Sequence, residues 1–399
     1  MSGVTKHIYE HEIRDIISMW SKQIKSIQRL LPKEYDEKEI ISLLKQYYPH
    51  EWNSVEIKYV YYKKKDEHIK KHYGKNRYNM PSPKNLLKRV AIFKTILSSD
   101  YKNEWHNRYS DQECCMYKDL LWSKRKPKID KINKKIESAL ERTQQMTPEY
   151  VDQLIELYER KNTSQKDKVY ILLELKKYYS PKIIQFFFKL NDTELNKQLR
   201  WEAFYHLQSF NYQPRARKQK YMQIHSKNDQ KKHFLKYIYP EETYIIPFNP
   251  EELEYRIENS KYQKLKTYDY FISHSSKDRI AVQSLITYAN KRNKNVFCDW
   301  INDVDYLKRH LVCNATLKVL EKRMEQSTAL IFVESENSLK SIWCKYELNY
   351  FSELGKPIYV IRRECIENNS FVINSLNSNW FKDSNYKNLA LLEGSNIKA

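Results

Sequence analysis

The sequence predicts an α/β fold with a doubly wound parallel sheet at the C-terminus, preceded by a larger all-α region. From residue 266 onward, short apolar runs alternate with segments of helical length, which is typical of a parallel sheet covered by helices. Before about residue 240, apolar residues recur at the helical period instead. The chain of 399 residues is long enough for two or three domains.

Helical periodicity defines the elements of the all-α region in order. Amphipathic helices are predicted over residues 11–31, 39–48, 85–98 and 128–145. In the first of them, Ile16, Trp20 and Ile24 share one face, which we expect to pack in a core.

Residues 167–215 show shorter helical patterns that come in pairs. Leu175 and Tyr178 recur at the same offset as Leu207 and Phe210. This spacing predicts HEAT-like helical repeats over the segment. Two copies are present, whereas such arrays usually need about three units for stability, so the repeat is one hypothesis for this region.

Three prolines mark the boundary between the two regions. They lie in YPEETYIIPFNPEELEYRI, which covers residues 239–257. Asn249 can cap a short helix that starts at Pro250. The predicted organisation is therefore an all-α region over residues 1–240, a linker over residues 241–262 and the sheet domain over residues 263–399.

The elements of the sheet domain follow in a regular order. Strands are predicted over residues 268–272, 295–299, 329–333 and 357–361. Helices are predicted between them over residues 278–290, 315–326 and 338–354. Val282, Leu285 and Ile286 share one face of the first helix, so we expect this helix to cover the sheet.

Polar residues follow the predicted strands, and ligands of such folds bind outside the carboxyl ends of the strands. The residues in question are Ser273, His274 and Ser275 after the first strand and Asp299, Trp300 and Asp303 after the second. On the last predicted helix, Trp343 and Glu347 are four residues apart and therefore lie on the same face.

Composition excludes some functions and leaves others open. The chain has only 4 glycines, so it contains neither a G-x-G-x-x-G dinucleotide motif nor a Walker phosphate loop. The net charge is +21; residues from 262 onward hold 20 Lys and Arg against 15 Asp and Glu, which leaves 51 against 35 for the preceding part. A nucleic-acid partner for the basic N-terminal region is one explanation. A coding bias toward Lys, Asn, Ile and Tyr is the other.

The cysteines and the N-terminal residues indicate the cellular location of the protein. Six cysteines form no C-x-x-C pair and show no zinc spacing, so we expect reduced thiols and no metal site. The start MSGVTKHIYE lacks the apolar core of a signal peptide, and no apolar run approaches the roughly 20 residues of a membrane helix. A soluble cytoplasmic protein without membrane contact is expected.

Four blocks of the C-terminal region resemble, in the same order, those of bacterial TIR (Toll/interleukin-1 receptor) domains. They are YDYFISHSSKD, VFCDWINDVD, ALIFVESENSLKSIWCKYELNYF and GKPIYVI. The W-C-x-x-E-L block, which contains Trp343 and Glu347, is the most specific of them. The resemblance covers roughly residues 266–365 and implies a flavodoxin-like doubly wound sheet.

Known TIR enzymes cleave the nicotinamide–ribose bond of NAD+, and the resemblance implies that Glu347 is the catalytic residue. Nicotinamide is already a cationic leaving group, so one carboxylate that stabilises the oxocarbenium-like state can suffice without a general acid. The resemblance also implies a set of substrate-binding residues: Phe271, Ser273, His274, Ser275, Asp299, Trp300, Asp303 and Trp343. A loop hydrogen bond for His274, and core packing for Trp300 and Trp343, are the alternatives. NAD+ would be the substrate, and no cofactor is expected.

The function that this resemblance implies is an NAD+ glycohydrolase, a hydrolase of antiphage defence that acts by abortive infection. A neighbouring TIR domain typically completes the pocket in the family, so a homo-oligomer formed through TIR domains would be the active state. The all-α region would serve as sensor or oligomerisation region, with a phage protein or a nucleic acid as trigger. A synthase of a cyclic ADP-ribose signal and a non-catalytic TIR adaptor or scaffold are the alternatives.

Overall fold

The computed structural model describes residues 4–214, 230 and 243–376. They form two compact units: the first contains the chain up to Glu137 with Ser209–Gln213, and the second contains Ser138–Gln208 and the chain from Pro214 onward. Over the described ranges, no helix has the length and apolar composition of a membrane span. The predicted boundary at residue 240 and the last part of the predicted sheet domain lie outside the described residues, so the domain boundaries stay predictions.

The first unit is built from helices around one apolar core. They are α1 (Val4–Ile27), α2 (Glu37–Tyr47), α3 (Pro49–Tyr73), α4 (Pro83–Leu87), α5 (Ala91–Leu97), α6 (Ser99–Arg108) and most of α7 (Asp111–Glu141). Trp20 and Ile24 are fully buried in this core, as expected. The predicted helix over residues 85–98 is wrong in one respect, because a turn around Val90 divides it into α4 and α5.

Four helices lie within the described residues 151–209, nearly all of which belong to the second unit. They are α8 (Val151–Glu159), α9 (Gln165–Leu175), α10 (Pro181–Thr193) and α11 (Lys197–Ser209). Ser180 caps α10 by accepting the N–H of Ile183, and Pro181 occupies its first position, where no N–H is needed. The helical character of this segment is confirmed, while its HEAT-like arrangement stays a prediction.

The sheet of the second unit has five strands among the described residues, in the order β2, β1, β3, β4, β5. The strands are β1 (Tyr268–Ser273), β2 (Val296–Phe297), β3 (Ser327–Glu334), β4 (Ile358–Arg362) and β5 (Asn374–Ser375). The first four are parallel, and β5 pairs antiparallel with β4. The predicted fold class is therefore confirmed.

Helices cover both faces of this sheet. In chain order they are α12 (Pro250–Asn259), α13 (Lys261–Lys264), α14 (Arg279–Asn290), α15 (Asp299–Asn302), α16 (Asn314–Glu325), α17 (Glu336–Leu339), α18 (Ile342–Glu353) and α19 (Arg363–Glu367). Successive strand residues point to opposite faces, so Phe271 packs with α16 and α18 while Ile272 packs with α14 and α19.

Two element boundaries differ from the sequence prediction. The predicted helix over residues 338–354 is divided into α17 and α18, because Ser341 accepts the N–H of Cys344 and starts a new helix. The predicted strand over residues 295–299 is only two residues long, because α15 begins at Asp299. The cap at Asn249 is confirmed: its Oδ1 accepts the N–H of Glu252 at 2.8 Å.

The outer edge of β2 is covered by the residues that precede α8. Gln144 Nε2 donates to the carbonyl of Val296 at 2.6 Å, and Gln144 Oε1 accepts the N–H of Val296 at 3.1 Å. Next to it, the Tyr178 hydroxyl donates to Asn295 Oδ1 at 3.1 Å. The edge strand therefore finds its hydrogen-bond partners inside the same unit, which removes a template for pairing with other chains.

Candidate active site

Glu347 lies on the apolar face of α18. Cys344, Leu348 and Phe351 on this face are fully buried against the sheet, and Glu347 itself is only 9% exposed. Residues spaced by three and four share one face of a helix, so the periodicity of α18 directs this carboxyl toward the sheet. A carboxylate at such a position carries a desolvation cost that an apolar residue would not have.

Among the described residues, no cation pairs with the carboxyl of Glu347, which lies near Ser273 at the end of β1. Its Oε2 atom and the Oγ of Ser273 are both buried, and within the same part of the chain neither has a hydrogen-bond partner of good geometry. Burial raises the pKa of Glu347 to about 8; the nearby Ser273 hydroxyl offsets part of this rise, and the negative charge of Asp299 adds to it. The carboxyl is therefore mostly protonated at neutral pH, and a cation placed beside it would favour ionisation.

His274, Asp299 and Trp300 form a hydrogen-bonded cluster beside Glu347. The Nδ1 atom of His274 lies 3.0 Å from the carbonyl oxygen of Ile272, and its Nε2 lies 3.0 Å from the indole Nε1 of Trp300. A carbonyl only accepts and an indole N–H only donates, so the ring is neutral with its proton on Nδ1. The backbone N–H of Trp300 donates to Asp299 Oδ1 at 2.9 Å. The Asp299 side chain is 49% exposed.

An exposed arginine extends this cluster. The guanidinium carbon of Arg279, the first residue of α14, lies 4.6 Å from the ring centroid of Trp300. Stacking of a guanidinium on an indole is favourable and holds both groups in place. The cluster thus presents a flat aromatic surface, one positive charge and one accessible carboxylate.

One group of metal-ligand side chains comes together among the described residues: His274, Cys298 and Asp299 have ligand atoms within 4.8 Å of one another. His274 Nε2 and Asp299 Oδ1 already accept hydrogen bonds from Trp300. Burial raises the pKa of the Cys298 thiol well above its usual range. A cation would have to displace these bonds and remove the thiol proton, so the arrangement does not fit a resident metal.

Sequence comparisons identify the family. The family model described as "Thoeris protein ThsB, TIR-like domain" matches residues 271–368. A protein of Cytobacillus dafuensis, "Putative cyclic ADP-D-ribose synthase TIR2", is 36% identical over 362 residues, which are 90% of this chain and 92% of that protein. This chain belongs to the bacterial TIR-domain proteins of the ThsB type. The predicted TIR domain is confirmed, and the similarity extends over the helical region.

Other relatives match about a quarter of this chain. A Bacillus cereus protein, "Probable 3' cyclic ADP-D-ribose synthase ThsB'", is 36% identical over 100 residues, which are 25% of this chain and 51% of that protein. Human Toll-like receptor 2 is 30% identical over 105 residues, which are 25% of this chain and 13% of the receptor. No solved structure matches this TIR-domain protein.

The TIR domain brings several of the predicted site residues together. Ser273 and Asp299 both lie near enough to change the pKa of Glu347, and His274 Nε2 lies 3.8 Å from Asp299 Oδ1. Trp300 joins the group through its bond to His274. These five residues come from β1, from the segment after β2 and from α18, so the carboxyl ends of the strands meet there as expected.

Three other predicted residues lie at the margin of this group. Phe271 is buried in the core, where its ring stacks on Phe297 with centroids 5.1 Å apart. Ser275 accepts the N–H of Lys277 and caps a short 3-10 helix. Trp343, near the start of α18, is partly buried and packs against the apolar core between this helix and the sheet. Their roles toward a substrate stay predictions.

Asp303 lies in a different part of the TIR domain. Its buried carboxylate accepts a bond from Arg323 Nε at 2.8 Å and lies 3.4 Å from Lys177 Nζ. Arg323 is close to the start of β3, whereas Ser273 is at the end of β1, and these strands are parallel. The structure therefore does not place Asp303 with Glu347.

Asp278 is a residue of this region that sequence reasoning did not single out. Its buried carboxylate accepts bonds from Ser335 Oγ at 2.5 Å and Asn337 Nδ2 at 3.1 Å, and it pairs with Arg363 at 3.2 Å. It thereby joins the loop after β1 to the residues after β3 and β4. Asp278 is the last residue of the S-H-S-x-x-D pattern at residues 273–278, which was the sequence signal for this residue. Its partners lie 57 to 85 residues away in sequence, so local patterns did not indicate them.

Proposed function

We propose that this protein breaks the nicotinamide–ribose bond of NAD+ and closes the ADP-ribose part into a cyclic product. The observation that supports this most directly is the buried carboxyl of Glu347 near the end of β1, which has no cation partner among the described residues. An ionisable group that is desolvated without a partner of opposite charge costs stability, and such groups concentrate at functional sites.

The reaction requires one negative charge near C1′ of the ribose while the bond to nicotinamide breaks. The bond between C1′ of the ribose and the nicotinamide nitrogen breaks, both electrons stay with the nicotinamide, and positive charge develops at C1′. The cationic substrate favours loss of the proton from Glu347, and the carboxylate then stabilises the oxocarbenium-like state. Nicotinamide leaves as a neutral molecule, so no residue has to protonate it.

Water and the substrate itself compete for C1′. Capture by water forms a C1′–O bond and gives ADP-ribose and a proton. Capture by a hydroxyl oxygen or ring nitrogen of the same molecule forms the bond to C1′ internally and gives a cyclic ADP-ribose, also with release of one proton. Ser273, Cys298 and Cys344 near Glu347 are fully buried, and exclusion of water favours capture within the substrate. The names of the Cytobacillus and Bacillus relatives also support the cyclic product. We therefore prefer the synthase to the NAD+ glycohydrolase.

The cluster beside Glu347 suggests how NAD+ would be held. Arg279 is exposed at the first turn of α14, and a positive charge beside helix N–H groups suits a diphosphate. The indole of Trp300 offers a face for stacking a base. His274 keeps that indole in place through its Nε2 atom. The proposed reaction consumes NAD+ as its substrate and uses no cofactor.

The biological setting completes the proposal. Antiphage defence in the cytoplasm, activation by assembly of a homo-oligomer through TIR domains, and a phage protein or nucleic acid as trigger all follow from the family membership as hypotheses. Each needs a separate test, because the chemistry at Glu347 does not depend on which trigger starts it.

The decisive experiment combines product analysis with a matched pair of variants. Concentrated protein is incubated with NAD+, and nicotinamide, ADP-ribose and cyclic products are separated by chromatography. We expect nicotinamide and a cyclic product in equal amounts. Glu347→Gln should lower the rate by about 10²–10³-fold, as loss of an oxyanion-hole donor does elsewhere. Glu334→Gln is the control, because Glu334 is a glutamate at the carboxyl end of β3 that pairs with Arg362.

Three results would change the proposal. An unchanged rate in Glu347→Gln would remove Glu347 from the reaction. ADP-ribose as the sole product would restore the glycohydrolase. Absence of NAD+ loss from assembled protein would favour the adaptor.

A further inference from the structure

The short segment that contains Asp299 and Trp300 is held from both sides by Gln144 and Lys177. These two residues lie outside α8 and α9 and are joined to each other, because the Gln144 N–H donates to the Lys177 carbonyl at 2.9 Å. Before it, Val296 exchanges two hydrogen bonds with the side chain of Gln144. After it, the carboxylate of Asp303 lies 3.4 Å from the ammonium of Lys177. Two contacts therefore join this pair of residues to both ends of the site segment.

Asp303 is rigidly connected to the site residues that precede it. Its N–H donates to the carbonyl of Asp299 at 3.0 Å and closes the single turn of α15. The Oδ1 atom of Asn302, which is fully buried, accepts the N–H of Cys298 at 2.9 Å. With only one turn between them, a displacement of Asp303 would also move Asp299 and Trp300.

The side chain of Asp303 belongs to a buried group of five charges. The cluster consists of the carboxylates of Glu174 and Asp303 and the cations of Lys177, Lys266 and Arg323. Lys177, with 12% of its side chain exposed, is the most accessible member. It lies 3.1 Å from Glu174 Oε1 and 3.4 Å from Asp303 Oδ1, so it links the end of α9 to the site segment.

We propose that Asp303 is a positioning residue for the reaction, and that Lys177 transmits the position of α9 to Asp299 and Trp300 through it. This inference rests on the proposed function and deepens it, because it makes the helical part of the second unit a determinant of NAD+ binding. Asp303 touches no substrate in this account. It acts by holding the turn that presents the substrate-facing residues.

Lys177→Met tests the link with the least damage to the fold. The substitution keeps the length of the side chain, removes one of three cations and leaves two cations facing two carboxylates. Arg323 still holds Asp303 at 2.8 Å. Lys177→Arg restores a donor that can reach both carboxylates. Lys176→Met is the matched control, since Lys176 precedes Lys177 directly but pairs with Glu202 at the surface.

Two readouts on the full chain distinguish the inference from the proposed function. Hydrogen–deuterium exchange of the amides of residues 298–307 reports on the site segment without NAD+. Steady-state kinetics of NAD+ consumption reports on substrate binding. In Lys177→Met we expect faster exchange and a KM for NAD+ raised about tenfold with kcat changed much less, because ground-state binding is lost. Lys177→Arg should recover both, and Lys176→Met should resemble the wild type.

Each other outcome has a defined meaning. Unchanged exchange in Lys177→Met at an unchanged melting temperature overturns the link. Faster exchange with unchanged KM and kcat shows a loosened segment that does not position substrate, which also overturns the inference. A wild-type protein that consumes no NAD+ defeats the proposed function, while the exchange measurement still decides whether Lys177 holds the segment.

Discussion

Two buried glutamates of the second unit have opposite surroundings. Glu174 on α9 is 3% exposed and Glu347 on α18 is 9% exposed. Glu174 accepts bonds from Lys266 Nζ at 2.8 Å, from Lys177 Nζ at 3.1 Å and from Gln263 Nε2 at 3.0 Å. The Oε2 atom of Glu347 has no hydrogen-bond partner in the part of the chain that the structure describes. The same side chain is thus buried once with full compensation and once without.

The difference shows in the acidity of the two groups. Burial alone would raise the pKa of Glu174, but Lys177 and Lys266 outweigh it and hold that pKa at about 2. At Glu347 burial is opposed only in part by Ser273, and the pKa rises to about 8. Partners rather than burial therefore separate a structural carboxylate from one that is available for chemistry.

The largest expected effect comes from removing the compensated carboxylate. Glu174→Leu leaves Lys177 and Lys266 without it, and loss of one partner of a buried ion pair costs about 3–5 kcal/mol of unfolding free energy. Burial, and then Arg323, lower the pKa of Lys266 to about 7, so the loss should be smaller at pH 9, where Lys266 is neutral. Denaturant titrations at pH 6 and pH 9 measure both values.

A more accessible pair is the control for this prediction. Glu202→Leu breaks the contact with Lys176, in which the side chains are 30% and 35% exposed, and should cost about 1 kcal/mol. Equal losses for Glu174→Leu and Glu202→Leu would show that the buried cluster adds nothing beyond surface charge.

The next effect concerns the uncompensated carboxyl during the reaction. The ionised form of Glu347 is the active one, and kcat/KM reports the pKa of the free protein. With this pKa at about 8, kcat/KM should rise about tenfold per pH unit below pH 8 and level off above it. Initial rates of nicotinamide release at low NAD+ test this, and a flat profile between pH 6 and pH 8 would contradict it.

A smaller effect is expected on stability from the same residue. The folded-state pKa of Glu347 lies above the unfolded value of 4.5, so the folded state binds more protons and loses stability as the pH rises from 4.5 to 8. Glu347→Gln should therefore match the wild type near pH 4.5 and exceed its unfolding free energy by a few kcal/mol above pH 8, since each unit of pKa difference corresponds to about 1.4 kcal/mol. Denaturant titrations of both proteins at the two pH values measure the difference. A destabilised variant at pH 9 would mean that the carboxylate has an undetected partner.

The smallest expected effect on stability concerns the side-chain amide of Gln144, which is hydrogen-bonded to the edge strand β2. Gln144→Ala leaves the N–H and C=O of Val296 without their partner and should cost about 1–2 kcal/mol. Gln145→Ala, at the exposed neighbouring position, should leave the unfolding free energy nearly unchanged. Thermal unfolding of the two variants gives the comparison, and equal melting temperatures would show that the edge of β2 needs no cover.

Most elements of the TIR domain could be predicted because their signals are local. Apolar alternation located β1, β3 and β4, and helical periodicity located α14 and α16. The failures have local causes of another kind. Ser341 caps a new helix inside a continuous apolar pattern, and β5 is two exposed residues whose pairing depends on β4. A side-chain cap or a short edge pairing leaves a weaker pattern in the sequence than a row of buried apolar residues does.

The sequence by itself determined the α/β order of the C-terminal region, its TIR motifs and the place of Glu347 on the same helix face as Trp343, because each follows from the order and spacing of residues along the chain. The burial of that face became known from the structure. Only the tertiary structure decided which of two neighbouring aspartates joins that residue. Asp299 lies with Glu347, while Asp303, four residues later, pairs with Arg323 and Lys177. The physical reason is that burial and charge compensation depend on partners that lie 20 and 126 residues away.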